Sequence, residues 1–275
     1  MARIGVCSWS LQPESAGDLC AKVKRCGVSA VQLWLDPIRE GKWDEAGTVR
    51  ALKDAGIEVL SGMMAMEGED YTTLETIKAT GGVRPDATWA RNLHAAEANA
   101  DLARRLGLKL LTFHAGFLPH DGDDEREKMI ERLRRIVDVF AARGVGVAFE
   151  TGQENAENLE VVMRDMGRPT LGVNFDPANM ILYGMGEPVP ALRGLAPWVR
   201  QVHIKDAKPA SKAGVWGEEV VAGTGAVDWA RFFGFVREML PRVCLLVERE
   251  AGVRRVEDVR AAVEMVESYL GAGDG

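Results

Sequence analysis

Four apolar runs in this chain stop abruptly on side chains that can bind a cation or move a proton: VGVAFE on Glu150, LGVNFD on Asp176, VRQVHIKDA on His203, Lys205 and Asp206, and CLLVE on Glu248. A carboxylate or imidazole at the end of a buried strand is costly unless it is paired or holds a metal. Taken singly, such a carboxylate is more often salt-bridged or bonded to a helix N-terminus. Four in one chain point to a single shared cation. Three carboxylates and one imidazole form a mostly hard ligand set. That favours one divalent metal ion, Mn²⁺ first, with Mg²⁺, Co²⁺ or Zn²⁺ as substitutes, over the thiolate-rich sites of structural zinc.

Alternation decides which neighbours join them. Gly146, Ala148 and Glu150 share one face of their strand, as do Gly172, Asn174 and Asp176, and Gln201, His203 and Lys205. Leu246, Glu248 and Glu250 align likewise, which leaves open which glutamate lies deeper.

Eight strand-and-helix pairs carry these residues. Strands are expected over 3–9, 30–35, 57–65, 108–116, 145–150, 170–176, 199–204 and 243–250. Each is followed by a stretch of helical periodicity, in units of roughly 34 residues, the size of a βαβ repeat. Two long loops interrupt the pattern: 66–84, with room for one helical turn, and 206–226. Runs such as LKLL and CLLV suit strands buried on both faces. No Pro/Gly/Ser-rich linker divides the chain, and the first strand lacks the GxGxxG of a dinucleotide-binding sheet. The expectation is α/β: a single (β/α)8 TIM barrel over 1–275, with 270–275 as a flexible tail. Its active site would lie at the C-terminal ends of the strands.

Composition sets the remaining bounds. The chain has 275 residues, enough for one such barrel, and a formal net charge of −7 that repels a nucleic-acid backbone. No apolar stretch reaches the ~20 residues of a membrane span, and the N-terminus shows no signal-peptide pattern. No nucleic-acid partner, no membrane association and a cytoplasmic location are therefore expected. A homo-oligomer is compatible with the sequence, although no stretch reads as an interface. Cys7, Cys20, Cys26 and Cys244 form no CxxC and are read as reduced and structural.

The segments TFHAG at 112–116, FETG at 149–152, NFDPAN at 174–179, VHIKD at 202–206, GTGAVDW at 223–229 and VERE at 247–250 span most of the chain. On these, the sequence resembles the xylose isomerase-like TIM-barrel superfamily. The similarity is to its sugar phosphate isomerase/epimerase group, which holds ketose 3-epimerases, hydroxypyruvate isomerases and inosose dehydratases. The resemblance implies that Glu150, Asp176, His203 and Glu248 ligate a divalent metal, with Glu150 and Glu248 also the catalytic acid/base pair. The implied function is a metal-dependent isomerase or epimerase in carbohydrate metabolism. It would act on a sugar, sugar phosphate or related hydroxy-carbonyl compound by carboxylate-mediated proton transfer through a metal-stabilised enediolate.

Departures from the ketose 3-epimerase pattern are specific. Asn179 stands where a histidine is expected, Pro209 where an arginine is expected, and Ala156 where a glutamate is expected, with Glu154 and Glu157 nearby. A metal-dependent lyase or dehydratase, eliminating across an inosose or 3-keto-glycoside, is the alternative. A non-catalytic sugar-binding protein ranks below it. So does an apurinic endonuclease, which would need more than the four histidines present.

Further substrate-binding candidates are His114 at a strand end, Lys205 on the parity of His203, and Trp9 and Trp34 as faces for sugar rings. Glu67 and Trp216 belong to the two long loops, which suit lids. Asn179 and Glu250 adjoin the metal candidates, and Gln32, on the second strand, stands where the resemblance implies a Glu and is a further site candidate. His94 and His120 are expected at the surface.

Overall fold

The computed structural model describes residues 2–120, 122–212 and 214–271. Among the described residues ten strands form in chain order: β1 Ile4–Cys7, β2 Ala30–Trp34, β3 Glu58–Met63, β4 Leu110–Phe113, β5 Gly146–Glu150, β6 Leu171–Phe175, β7 Val199–Ile204, β8 Asp206–Lys208, β9 Glu218–Val220 and β10 Cys244–Val247. Eight of them close a parallel barrel in the order β1-β10-β7-β6-β5-β4-β3-β2, while β8 and β9 pair antiparallel outside it. The expected (β/α)8 barrel is therefore the fold. Each barrel strand is linked to the next barrel strand through at least one helix, and every ligand candidate emerges at the same rim.

The helices follow local signals. Ser15, Asp44, Asp123 and Asn155 cap the N-termini of Ala16–Arg25, Glu45–Asp54, Asp124–Ala141 and Ala156–Met166 through side-chain oxygens. Gly167 ends the last of these with φ 58°, a conformation that costs glycine little.

Several elements differ from expectation. The first strand stops at Cys7, because Ser8–Leu11 winds into a 3₁₀ turn in which Ser8 Oγ accepts from Trp34 N at 2.8 Å. The loop 66–84 carries a helix at Leu74–Thr80, held at its start by reciprocal bonds between Thr73 and Thr76. PANM itself forms the helix Pro177–Tyr183, capped by Asp176. At the C-terminus, Leu270 and Gly271 continue the helix Arg255–Gly271 rather than a tail, and 272–275 lie outside the described residues.

The main core lies between the strands' outer faces and the helices, where Phe113 and Phe149 meet edge to face at 5.5 Å. The barrel's inside is different. Gln32, Ser61, Thr112, Asn174 and Gln201 are all buried there and form a hydrogen-bonded plate across the lumen. A second, separate apolar cluster of Ile77, Phe117 and Tyr183, packed with Leu182 and Trp216, sits at the mouth and is assembled from the connections that follow four different barrel strands. No helix among the described residues is long and apolar enough to cross a membrane.

Candidate active site

Glu150, Asp176, His203 and Glu248 end β5 or follow β6, lie within β7 and follow β10, and all four are buried. One ligand atom from each falls within 4.8 Å of the others. His203 Nδ1 is the hub, 3.5 Å from Glu150 Oε1, from Asp176 Oδ2 and from Glu248 Oε2. Atoms each about 2.1 Å from one shared cation stand roughly 3 to 3.5 Å apart, so the spacing suits a common divalent ion. Asp176 Oδ2 and His203 Nδ1 are buried with no hydrogen-bond partner among the described residues, which a cation would resolve. The residues present therefore fit the metal that the sequence implies.

Electrostatics point the same way. Burial opposes a charged imidazole, yet its neighbours hold His203 well above the usual histidine range. Cys7 belongs to that environment, but burial pushes its own thiol up to about 12, so Glu150 and Glu248 supply the negative field. A field that draws a proton to this point draws a cation as well. Cys7 also forms a second cluster with His203 and Glu248. It is the weaker ligand site, because a protonated thiol is a poor metal ligand.

The polar plate beneath the site fixes how His203 presents itself. Gln32 Nε2 donates to Thr112 Oγ1 at 2.7 Å and faces the Gly62 carbonyl at 3.5 Å, which can only accept, so the amide orientation is set. Gln32 Oε1 then faces His203 Nε2 at 2.8 Å and can only accept. Nε2 therefore keeps its proton toward Gln32, and Nδ1, whose own proton a cation would displace, is the nitrogen that faces the carboxylates. Asn174 Nδ2 lies 3.0 Å from the same ring nitrogen and donates to Glu150 Oε2 at 3.1 Å. Replacing Gln32 by leucine is expected to weaken divalent-metal affinity by about 10- to 100-fold. Metal titration of the folded variant checks this, and unchanged affinity would remove Gln32 from the site.

Each glutamate has its own partners. Glu150 Oε1 accepts from Asn179 Nδ2 at 2.9 Å and lies 3.6 Å from His114 Nε2. Burial raises the Glu150 pKa, but His114 and His203 outweigh it, and the net effect is a carboxyl below its ordinary value. Glu248 Oε1 accepts from Trp9 Nε1 at 2.8 Å, and Oε2 accepts from Lys205 Nζ at 2.8 Å. Burial would push Glu248 up as well, yet Lys205 and His203 hold it well below the usual range. Lys205 is raised well above the ordinary lysine value, because Glu248, Glu250 and Asp176 overcome the effect of burial. For Asp176 burial wins over Lys205 and His203, and its carboxyl is raised.

A cavity of about 310 Å³ opens above this cluster, with polar groups at its floor and Met63, Met64, Leu182, Tyr183 and Trp216 along its walls. His114, Lys205, Trp9, Trp216, Asn179 and Glu250 all line it, as their sequence positions suggest. Of the aligned pair on the last strand, Glu248 is the deep one, with 4% of its side chain exposed against 53% for Glu250. Trp34 and Glu67 are corrections. Both line a neighbouring cavity of about 650 Å³ instead. Trp34 Nε1 is drawn to the buried Asp36 at 2.9 Å, and Glu67 pairs with Arg91 at 2.7 Å. Glu154 is no part of the site either. It receives the Leu118 amide and Asn158, and burial pushes its carboxyl up to about 7.

Some site residues escaped the sequence reading. Tyr71, Tyr183 and Glu219 line the cavity from a loop, the end of the short helix Pro177–Tyr183 and β9, all in the connections beyond the barrel strands, where the sequence has no clear periodicity. Asn174 and Gln201 were legible as inward by parity, and only the plate shows their use. Asp206 anchors the last loop, its carboxylate accepting from Gly223 N at 2.9 Å, Gly225 N at 3.0 Å and Trp229 Nε1 at 2.9 Å. That accounts for the GTGAVDW segment: a side chain at Gly225 would collide with the Asp206 carboxylate, which would lie 2.1 Å from its Cβ.

Comparison with known proteins bears on the whole assembly. A xylose isomerase domain protein from Planctomyces limnophilus has 31% identity and a TM-score of 0.86, with 92% of each chain covered. An L-ribulose 3-epimerase superposes with a TM-score of 0.76 at 16% identity over 99% of this chain and 95% of that one. A probable 3-DHS dehydratase from Bacillus anthracis gives 0.72 at 18%, over 97% and 98%. At those identities the last two likenesses speak for the fold alone. No curated protein matches the sequence. The family model described as xylose isomerase-like TIM barrel matches residues 20–269, nearly the whole barrel with its rim cluster, and the chain belongs to that family.

Proposed function

We propose that the protein is a divalent-metal-dependent isomerase or epimerase of a carbohydrate or related hydroxy-carbonyl compound. The observation that carries this is the convergence of Glu150, Asp176, His203 and Glu248 on one point, two of them with buried unpartnered atoms, at the floor of a sugar-sized cavity. Membership of the xylose isomerase-like TIM-barrel family supports the reading. A bound divalent cation, Mn²⁺ or Mg²⁺ by the hardness of the donors, would supply Lewis acidity to a carbonyl and its adjacent hydroxyl.

The protein's residues do the rest. β5 and β10 are separated around the barrel by β6 and β7, so Glu150 and Glu248 flank the floor of the cavity from two sides. Both carboxyls are held below their ordinary pKa and stand ready as bases. One carboxylate removes the proton next to the carbonyl and becomes the acid; returning that same proton to the neighbouring carbon moves the carbonyl, whereas inverting the centre requires the opposite carboxyl to take a proton from solvent first and deliver it from its own side. Trp9 and Lys205 orient Glu248, while Asn179 and Asn174 orient Glu150. The aromatic and methionine walls shelter the reacting carbon from bulk water.

Proton NMR in D₂O with metal-loaded protein and a panel of ketoses, inososes and 3-keto-glycosides tests this. Deuterium entering one carbon of the substrate without elimination is the expected result. Loss of water or aglycone would replace isomerisation with a lyase reaction, and no exchange in any member of the panel would remove the proposal.

A further inference from the structure

Resting on that reading, the charge lining of the same cavity narrows the substrate class. Among the described residues Lys205 is the only lysine or arginine that lines it. An ammonium has three donors. Those of Lys205 meet Glu248 at 2.8 Å, Glu250 at 2.5 Å and Asn179 Oδ1 at 3.3 Å, which leaves none for a substrate anion.

The place where parallel barrels often hold a phosphate, between the loops after the seventh and eighth barrel strands, is already filled. β9 brings Glu219 there, paired through β8 with the segment that follows His203. Its carboxylate accepts from Glu250 N at 2.9 Å, from Ala251 N at 3.2 Å and from Arg249 at 2.8 Å. Two successive main-chain N–H groups and a guanidinium are the donors that grip a phosphate. Here they hold the protein's own carboxylate, with 8% of its side chain exposed.

We propose that Glu219 acts as a built-in anion that closes this notch, so that the cavity takes an uncharged hydroxy-carbonyl compound and turns away its phosphate ester. An incoming phosphate would meet Glu219, Glu248 and Glu250 with no free cationic side chain to offset them. Glu219 is thereby a specificity-determining residue that sets substrate charge.

Calorimetric titration of Mn²⁺-loaded wild type, Glu219→Ala and Glu219→Gln tests it. The probes are D-fructose with D-fructose 6-phosphate, D-ribulose with D-ribulose 5-phosphate, and inorganic phosphate alone. Wild type is expected to prefer each free ketose by about 100-fold, since juxtaposed like charges cost several kcal/mol. Glu219→Ala is expected to narrow that preference at least about tenfold and to gain binding of inorganic phosphate. Glu219→Gln keeps the shape, removes the charge and should move in the same direction, which covers an alanine variant that does not fold. Wild type that binds the esters as tightly as the ketoses overturns the proposal. So do folded variants that keep the wild-type preference and gain no phosphate binding. If the ketoses bind with the expected preference but exchange no proton, the isomerase reading falls and this inference stands. If a phosphate ester binds better and exchanges, the reverse holds.

Discussion

Glutamine at position 150 or 248 is expected to leave the barrel folded and to slow proton exchange between substrate and solvent by about 10²- to 10⁴-fold, the range that one positioned acid or base contributes. The two variants differ in cleanness. At Glu150 the surrounding donors are neutral amides, Asn174 Nδ2 and Asn179 Nδ2, and a glutamine can still accept through one oxygen. Misplacing its NH₂ against the other amide costs on the order of 1–3 kcal/mol. At Glu248 the partner is the buried Lys205 ammonium, which after substitution keeps Glu250 as its one hydrogen-bonded carboxylate among the described residues, with Asp176 acting from farther off. Leaving a buried charge underpaired costs more, so Glu248→Gln should lower the melting temperature further than Glu150→Gln. Circular dichroism establishes folding, metal analysis establishes occupancy, and NMR in D₂O reads exchange. Exchange at wild-type rates in both folded variants would sink the acid/base assignment.

The second large effect is thermal. A cation that binds only the folded state stabilises it by about 4 kcal/mol when present at 1,000 times its dissociation constant. For a chain of this size that corresponds to a rise of roughly 8–16 °C in melting temperature, reversed by a chelator. Asp176→Asn separates ligation from folding. Asp176 Oδ1 accepts from Asn179 N at 2.9 Å and caps the helix Pro177–Tyr183, a task an asparagine oxygen also performs. The unpartnered Oδ2 would become an uncharged amide group. The variant is therefore expected to fold without added metal and to show no metal-dependent shift. A shift equal to that of wild type would exclude Asp176 as a ligand.

Much of this was legible beforehand, for physical reasons. Strands buried on both faces give apolar runs, and a charged residue that terminates one stands out against them. That made Glu150, Asp176, His203 and Glu248 readable as a group, and the period of two put Asn174, Gln201 and Lys205 on the inward side with them. Loop residues have no such period. Trp34 looked like a sugar platform because it ends a strand, yet Asp36, two residues on, bonds its indole nitrogen and takes it to another cavity. Glu67 went the same way through Arg91. Gln32 stood out only by resemblance, and its hold on His203 depends on the Thr112 hydroxyl and the Gly62 carbonyl, which the packing of the barrel strands brings near. Glu219 could not be found from sequence, because its partners lie some thirty residues on, past the helix Trp229–Met239 and β10.

The apolar cluster of Ile77, Phe117 and Tyr183 is separate from the main core. Two cores in one domain mean two stabilities. The loops that roof the cavity can loosen or change sequence while the layer between strands and helices, which holds the global free energy of folding, stays intact. Natural variation at these few positions can therefore reshape which substrates enter without a large loss of fold stability. The chemistry at the floor and the choice of substrate at the mouth are free to evolve at different rates.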